Sequence, residues 1–321
     1  MDTPVDPKQV KRFQVDLAKI WPQSDNPNSW LGLAVSGGPD SLALLLLAHS
    51  ALPGRVTVAC VDHGLRPEAP AECAFVATIC AGLAVPCATL PIKLGEGNTL
   101  EQARKARYAA LRDWALNRDV DTIATGHQLD DQVETFFMRL ARGSGLHGLA
   151  GIRASTLVAG PDIRILRPLL GFRRAELEQV VAEAGIDPVR DPSNENVAFD
   201  RIRIRRKLAE FDLVSHEAIA ATVANLADAE DAVAWASRKN QEENLSGDRT
   251  EMRYRSGAPK LIAGLAVMHA VSQVGRTTTL GPAMEVVDSL MRGEQVNLAG
   301  VLASVEGEEW VFRPEPPRRG G

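Results

Sequence analysis

The stretch Ser36-Gly37-Gly38-Pro39-Asp40-Ser41 interrupts an apolar run with two glycines, two hydroxyls and one carboxylate. The residues before it have the length of a strand, and those after it have helical spacing. A tight glycine turn at the start of a helix exposes backbone N–H groups at the positive end of the helix dipole, where they can bind phosphate oxygens. Asp40 would repel a bare phosphate, so it either holds Mg²⁺ or caps the helix.

A second polar stretch, 126–131, follows another short apolar run and contains His127 and Asp131. Glu134 lies three residues further on, so Asp131 and Glu134 share one face of a predicted helix. In isolation, two acids in the first turn of a helix would simply complement its dipole. His63 and His127 each directly follow a predicted strand, and each either contacts a nucleotide or makes a supporting hydrogen bond.

The elements that must position these residues alternate along the first half of the chain. Apolar runs predict strands at 31–35, 56–61, 87–92 and 122–125, and the intervening stretches predict helices at 40–48, 71–83, 100–117 and 131–140. Unbroken apolar strands joined by helices predict an α/β fold, a parallel twisted sheet with helices on both faces. Ligands bind such sheets at the carboxyl ends of the strands, and each predicted strand here ends in a polar or glycine-bearing loop.

The second half of the chain changes character near residue 214. A long alanine-rich helix is predicted at 218–238, and 300–312 alternates like a strand. We expect an N-terminal helix or extension at 1–27, a catalytic domain at 28–213 and a smaller, mainly helical C-terminal domain at 214–314. The tail at 315–321 is expected to be disordered.

Composition and charge exclude several classes of protein. The chain has 321 residues, of which 45% are hydrophobic and 24% charged, and a net charge of −5. No apolar run is long enough to span a bilayer and no signal peptide is evident, so we expect a cytoplasmic protein. The four cysteines form no Cys-x-x-Cys pair and read as small buried side chains rather than metal ligands. A local basic strip stands out at 139–207, with thirteen Lys and Arg against eight Asp and Glu.

The phosphate-binding turn lacks the Lys of the mononucleotide loop and the Gly-x-Gly-x-x-Gly of the dinucleotide fingerprint. Its Ser-Gly-Gly-x-Asp-Ser pattern resembles the loop of the N-type ATP pyrophosphatases, which split ATP between its α- and β-phosphates. Further motifs narrow the resemblance to the tRNA(Ile)-lysidine synthetases, over roughly residues 28–210. They are VDHGLRPEA, NTLEQARKARYAAL, TGHQLDDQVETFFMRLARGSGLHGLAGI, RILRPLL and DPSNENVAFDRIRIR, in this order.

This resemblance implies a fold, a reaction and a set of partners. The fold would be Rossmann-like, of the adenine nucleotide α-hydrolase type. ATP and Mg²⁺ would activate the wobble cytidine of a tRNA(Ile) with a CAU anticodon, and L-lysine would then be joined to C2 through its ε-amine. The partners would therefore be this tRNA and L-lysine, without a membrane. The sequence leaves open whether the chain forms a homodimer.

The resemblance also implies roles for particular residues. The turn residues Ser36 to Ser41 would bind ATP, together with His63, Arg104 and His127. Asp40 and Asp131 are the candidate Mg²⁺ ligands. Arg104 and Arg107 share one helix face and would clamp either a phosphate or the lysine carboxylate, although a solvated helix face remains the alternative for the second of them.

Lysine attacks only as the neutral amine, so a carboxylate or a desolvating pocket must assist it. Asp131 and Glu134 would bind the substrate ammonium groups, share Mg²⁺ or act as the base, and the sequence does not assign these roles. Asp40, Arg107, Asp131 and Glu134 are the predicted catalytic residues. The basic strip supplies the predicted tRNA-binding residues, with a solvated basic helix as the alternative for its second half; they are Arg139, Arg142, Arg201, Arg203, Arg205 and Arg206.

Three other functions compete with this interpretation. A tRNA 2-thiolation enzyme of the same ATPase class would need reactive or cluster-binding cysteines, commonly as Cys-x-x-Cys. An ammonia-dependent amide-forming ligase would leave the basic strip unexplained. A catalytically inactive RNA-binding module would not need Asp40, Asp131 and Glu134.

Overall fold

The computed structural model describes residues 5–62, 64, 68–92, 100–157, 163–189, 200–209 and 214–316. The chain divides into two compact units, Met1–Ala227 and Asp228–Gly321. The division falls inside one long helix, at a later residue than the domain boundary of 213/214 expected from composition.

The first unit alternates strands and helices. Its strands are β1 (Leu31–Ala34), β2 (Val56–Asp62), β3 (Cys87–Pro91), β4 (Thr122–Thr125), β5 (Ser155–Leu157) and β6 (Arg164–Leu166). Its helices are α1 (Pro7–Ile20), α2 (Pro39–Ala51), α3 (Ala69–Gly82), α4 (Leu100–Leu116), α5 (Leu129–Leu140), α6 (Leu146–Leu149), α7 (Arg174–Glu183), α8 (Asp200–Ala209) and the first part of α9 (His216–Asn244). The four strands and four helices predicted for the first half are confirmed, with small shifts at their ends.

The strands form one six-stranded sheet in the order β3-β2-β1-β4-β6-β5. All neighbours pair in parallel except β5, which runs antiparallel to β6 at the edge. The chain moves outward from β1 to β2 and β3 on one side, and continues with β4 and β6 on the other side. The carboxyl ends of β1 and β4 therefore flank the topological switch point, where α/β sheets bind ligands.

Helices cover both faces of this sheet, as predicted. Leu31, Leu33 and Val35 point into the core shared with α1, α2, α3 and α7. On the opposite face α4 packs its Trp114 against the sheet, so close to Gly32 that a Cβ there would lie 3.1 Å from the indole ring. The alternation of side chains along β1 thus assigns one residue set to each face.

The predicted N-terminal extension belongs to the first core. Phe13, Leu17 and Trp21 on and just after α1 are at most 1% exposed and pack in the same cluster as α2 and α7. Arg12 on the opposite side of α1 donates to Glu176 Oε1 over 2.6 Å and lies over the Phe172 ring. These contacts attach α1 to the segment that begins α7.

The second unit combines helices with a sheet. After the end of α9 come β7 (Leu245–Gly247), β8 (Met252–Arg255), α10 (Lys260–Val274), α11 (Leu280–Met291), β9 (Val296–Leu298), β10 (Val301–Glu306) and β11 (Glu309–Pro314). The five strands form an antiparallel sheet in the order β7-β8-β11-β10-β9. The expected smaller domain is present, and the alternation seen at 300–312 corresponds to β10 and β11.

Only one face of this second sheet is apolar. Tyr254, Trp310 and Phe312 are buried in a cluster with residues of α10 and α11. On the other face Arg253 and Arg313 form ion pairs with Glu251 and Glu306 at 2.5–3.1 Å. An antiparallel sheet with one solvated face explains why charged and apolar residues alternate along β11.

The four cysteines are free thiols, as predicted, and Cys60, Cys73 and Cys80 are buried. Burial raises the pKa of the Cys60 thiol, and hydrogen bonding to Cys73 adds to this shift. Within the described ranges, no helix has the length and hydropathy required to cross a bilayer.

Candidate active site

The turn between β1 and α2 has the shape of a phosphate cradle. Gly37 has a φ of +86°, a conformation that favours glycine. Its carbonyl accepts a hydrogen bond of 2.9 Å from the backbone N–H of Val189. Gly38 is the N-cap of α2 and provides no side-chain cap, so the first N–H groups of the helix are left for a ligand.

The two serines of the turn have different roles in the structure. Ser41 Oγ accepts from the Ser36 backbone N–H at 3.2 Å and donates to the Gly38 carbonyl at 2.9 Å. Ser41 is buried, whereas Ser36 is exposed. Ser41 therefore fixes the shape of the turn, and Ser36 is the hydroxyl that a phosphate can reach.

Gly126, at the end of β4, allows the start of α2 to approach closely. A Cβ at this position would lie 3.0 Å from both the carbonyl carbon and the carbonyl oxygen of Asp40, and 3.1 Å from the Ser41 nitrogen. The neighbours are backbone atoms, which cannot turn away like the end of a side chain. Glycine is thus required here to hold the phosphate turn against the β4 exit.

Asp40 is the most strongly perturbed carboxylate of the site. Burial raises its pKa to about 6, Arg174 lowers it, and Asp131, Glu178 and Asp130 raise it further. Its Oδ1 atom is buried and makes no hydrogen bond within the described part of the chain. A carboxylate oxygen in this state needs either a proton or a cation.

The acids of α5 are held by arginines from later in the chain. Gln128 caps the helix, its backbone N–H donating to Asp131 Oδ2 over 3.2 Å. Arg174 Nη2 lies 3.9 Å from the other oxygen of Asp131. The carboxylate of Asp131 is therefore fixed from both sides, and the residue is only 9% exposed.

Asp130 and Glu134 occupy different environments on the same helix. Asp130 accepts from the Arg174 backbone N–H at 2.8 Å, and it also lies 3.6 Å from both Arg173 Nε and His216 Nε2, so it links α5 to the start of α7. Glu134 is 2% exposed and receives Arg205 Nε at 2.6 Å. Arg205 Nη2 donates to the second Glu134 oxygen at 3.3 Å, and this carboxylate raises the pKa of the guanidinium.

The other predicted site residues have these positions. His127 Nδ1 is 2.9 Å from Thr125 Oγ1 on β4. Arg104 and Arg107 both lie against the ring of Tyr108, with their guanidinium carbons 4.9 Å and 5.3 Å from its centroid. His63 lies outside the described residues.

The predicted tRNA-binding arginines divide into two groups. Arg139, Arg142 and Arg203 are exposed, whereas Arg205 is occupied by Glu134. Arg201 and Arg206 lie on α8, but their side chains are outside the described part of the chain.

Two residues that were not predicted from the sequence take part in this arrangement. Arg174, the first residue of α7, faces both Asp40 and Asp131. Gln132 exchanges hydrogen bonds with the backbone of Ile152, donating at 2.9 Å and accepting at 2.6 Å, and so attaches the glycine-rich segment 143–152 to α5. The Arg173-Arg174 pair at a helix start was the available signal for the first, and no sequence pattern indicated the second.

Comparisons with known proteins define the class first. The family model described as the PP-loop domain matches residues 8–211, which include the phosphate turn and the acids of α5. A solved structure, the U34-tRNA thiolase NcsA from Methanococcus maripaludis with its [4Fe-4S] cluster, superimposes with a TM-score of 0.57 at 17% identity. This match covers 68% of the present chain and 79% of the thiolase, and it shows that the fold is shared.

Curated relatives narrow the class to one family. A tRNA(Ile)-lysidine synthase from Novosphingobium aromaticivorans is 41% identical over 314 residues, covering 97% of this chain and 95% of the relative. A tRNA(Ile)-lysidine synthase from Zymomonas mobilis is 42% identical over 304 residues, covering 90% of this chain and 89% of the relative. The chain belongs to the tRNA(Ile)-lysidine synthase family.

Proposed function

We propose that this protein forms lysidine at the wobble cytidine of a tRNA(Ile) with a CAU anticodon, using ATP and L-lysine. The single observation that carries the proposal is the meeting of Asp40, in the phosphate turn, with the buried acids of α5 at the switch point of the sheet. One part of this arrangement suits ATP, and the other suits a cationic second substrate. Because the substrate is a tRNA, we expect the reaction to take place in the cytoplasm.

The first step activates the base. Cytosine O2 attacks the α-phosphorus of ATP, the bond from the α-phosphorus to the bridging oxygen breaks, and pyrophosphate leaves. The N–H groups at the start of α2 stabilise the negative charge that develops on the phosphate oxygens. Reaching the site requires the base to leave the anticodon stack, which costs a few kcal/mol.

The residues present fit a Mg²⁺ ion bound together with ATP. Asp40 offers a buried oxygen without a hydrogen-bond partner among the described residues, and Asp131 is the second acid near it. In the same part of the chain, no three acidic, histidine or cysteine side chains form a complete metal site. This suits Mg²⁺, which is usually bound by one or two carboxylates and the phosphates of a substrate. When bound, the ion neutralises charge on the leaving pyrophosphate.

The second step joins lysine to the activated base. The neutral ε-amine attacks C2, the C2–O bond breaks, AMP leaves, and the amine loses a proton. Glu134 and Asp131 are the groups that would bind lysine ammonium or accept this proton. Glu134 is buried against a guanidinium in the present structure, which supports a site that holds a cation. The lysine ammonium would then take the place of Arg205.

The exposed arginines support binding of the tRNA. Arg139, Arg142 and Arg203 carry positive charge on a chain whose net charge is −5, so they create a local attraction for the phosphate backbone. Arg201 and Arg206 belong to the same basic helix in sequence. We assign these residues to tRNA binding.

The test is release of pyrophosphate from ATP, with and without an in vitro transcribed tRNA(Ile) that carries a CAU anticodon. Labelled lysine follows incorporation in the same reaction, and a tRNA with a changed wobble base is the control. We expect release only with the cognate tRNA, and one lysine incorporated for each pyrophosphate. Release in the absence of any RNA would instead indicate a small-molecule ligase.

A further inference from the structure

The phosphate turn lacks a positive side chain of its own. Residues 36–41 contain one acid and no base, so the turn itself repels the polyphosphate that it must bind. Other phosphate loops solve this problem with a lysine in the loop. A cation must therefore reach this turn from elsewhere in the fold.

Arg174 is the cation closest in effect to the turn. The charged groups that act most strongly on Asp40 are one cation, Arg174, and three acids, Asp131, Glu178 and Asp130. The backbone of Arg174 is anchored by a 2.8 Å hydrogen bond to Asp130 Oδ2. Because α7 packs beside α2, this anchor holds the side chain near the start of α2.

The guanidinium of Arg174 has donors that the described residues do not use. The carboxylate oxygen that it faces, Asp131 Oδ1, lies 3.9 Å away, beyond hydrogen-bond distance, and the Arg174 Nε atom is buried without a hydrogen-bond partner. A buried donor without a partner is costly, so it indicates a ligand that completes the site. The side chain is 30% exposed, so a ligand can reach it.

The neighbouring arginines are already committed to carboxylates. Arg173 lies 3.6 Å from Asp130 and donates to Glu217 at 3.2 Å. Arg205 donates to Glu134 over 2.6 Å. Arg174 thus differs from both, because its charge lies near the phosphate turn and its Nε donor is unused within the described part of the chain.

We infer that Arg174 binds the pyrophosphate portion of ATP, the β- and γ-phosphates, and holds it as the leaving group. This inference rests on the proposed function for the identity of the leaving group. A planar guanidinium with unused donors suits two phosphate oxygens at once. The assignment extends the phosphate site from the turn to the start of α7.

The experiment measures the affinity of the full-length protein for inorganic pyrophosphate, ATP and AMP by calorimetry, at fixed Mg²⁺ and without tRNA or lysine. In R174Q we expect the affinities for pyrophosphate and ATP to fall about tenfold or more, the usual effect of losing charged hydrogen bonds. The affinity for AMP should change less than about twofold, because AMP lacks the two phosphates in question. R174K, which keeps the charge but loses the fork, should give an intermediate loss.

The matched control is R12Q, which removes an arginine paired with Glu176 near the same helix start but outside the site. It should leave all three affinities unchanged. Equal losses for pyrophosphate and AMP in R174Q, or no loss for either, would overturn the inference. If R174Q fails to fold, R174K decides by the same comparison. Since these assays need neither tRNA nor lysine, they remain informative if lysidine formation itself is not observed.

Discussion

Asp40 shows how one residue couples stability to chemistry. Its carboxylate is buried, one oxygen makes no hydrogen bond to the described residues, and its pKa is raised from 3.8 to about 6. A raised pKa means that the folded state favours the protonated form, so ionisation at neutral pH destabilises the fold. The residue is retained because an ionised, uncompensated oxygen can receive the cation that accompanies ATP.

We therefore predict that Asp40→Asn stabilises the metal-free protein while it abolishes ATP-dependent pyrophosphate release. The gain should grow as the pH rises from about 4 to about 6 and stay constant above that, because the unfolded chain ionises at the lower value and wild-type folded Asp40 only at the higher one. The shift in pKa corresponds to a gain of at most about 3 kcal/mol. Urea unfolding at pH 4.5 and pH 7.5 measures it.

Asp113→Asn is the control for this prediction, because Asp113 is exposed on α4 and forms a surface ion pair. Its effect on stability should be small at both pH values. A loss of stability in Asp40→Asn at pH 7.5 would show that the carboxylate has partners beyond those described, and normal pyrophosphate release would remove Asp40 from the site.

Residue types near the strand ends could be read from the sequence, but their partners could not. The turn 36–41 and the acids Asp131 and Glu134 stand directly after predicted strands, so local patterns were enough to select them. Arg174 and Arg205 reach these acids from helices that come 40 or more residues later, as the chain positions of Asp130 and Arg174 illustrate. Their contacts depend on how α7 and α8 pack, which no local pattern specifies.

At the scale of elements, the site depends on the approach of α2 to the end of β4. Gly126 sits at this contact, and a methyl group there would meet three backbone atoms of Asp40 and Ser41 at 3.0–3.1 Å. The start of α2 carries the phosphate-binding N–H groups, so a displacement of a few tenths of an ångström is felt by the ligand. The glycine thus links strand and helix geometry to ATP binding.

Gly126→Ala should raise the KM for ATP and cost about 1–3 kcal/mol of stability, as expected for overpacking. Gly145→Ala is the matched control, because a Cβ added there would have no described atom within 4 Å and the φ of −74° suits alanine. Steady-state kinetics with varied ATP and urea unfolding test both variants. If Gly126→Ala leaves the KM for ATP and the stability unchanged, the close approach is not a constraint.

Elements with strong periodicity were predictable, and very short ones were not. The parallel strands β1, β2, β3 and β4 are buried apolar runs that alternate with helices, which is why their bounds were close. The strands β5 and β6 have three residues each, and β6 follows a stretch read as a turn. In such short strands, pairing with a neighbour decides the structure rather than the pattern of side chains.

At the scale of the whole molecule, the distribution of charge has to reconcile an acidic chain with a polyanionic substrate. The net charge is −5, yet thirteen basic residues lie between Arg139 and Lys207. Several of these are neutralised by acids of the site, as in the pair formed by Arg205 and Glu134. Arg139 and Arg142, on and after the end of α5, are exposed and can act on tRNA at a distance.

Replacing Arg139 and Arg142 together with Ala should weaken tRNA binding and make it less dependent on salt. Each lost phosphate contact releases fewer counterions, so the slope of log affinity against log salt should become shallower by about 1.5. Filter binding of tRNA(Ile) between low and moderate salt measures affinity and slope. Arg118→Ala, just beyond the end of α4, is the charge-matched control and should leave both unchanged. A loss of affinity with an unchanged slope would mean that the two arginines support the fold of the segment after α5 and do not contact phosphate.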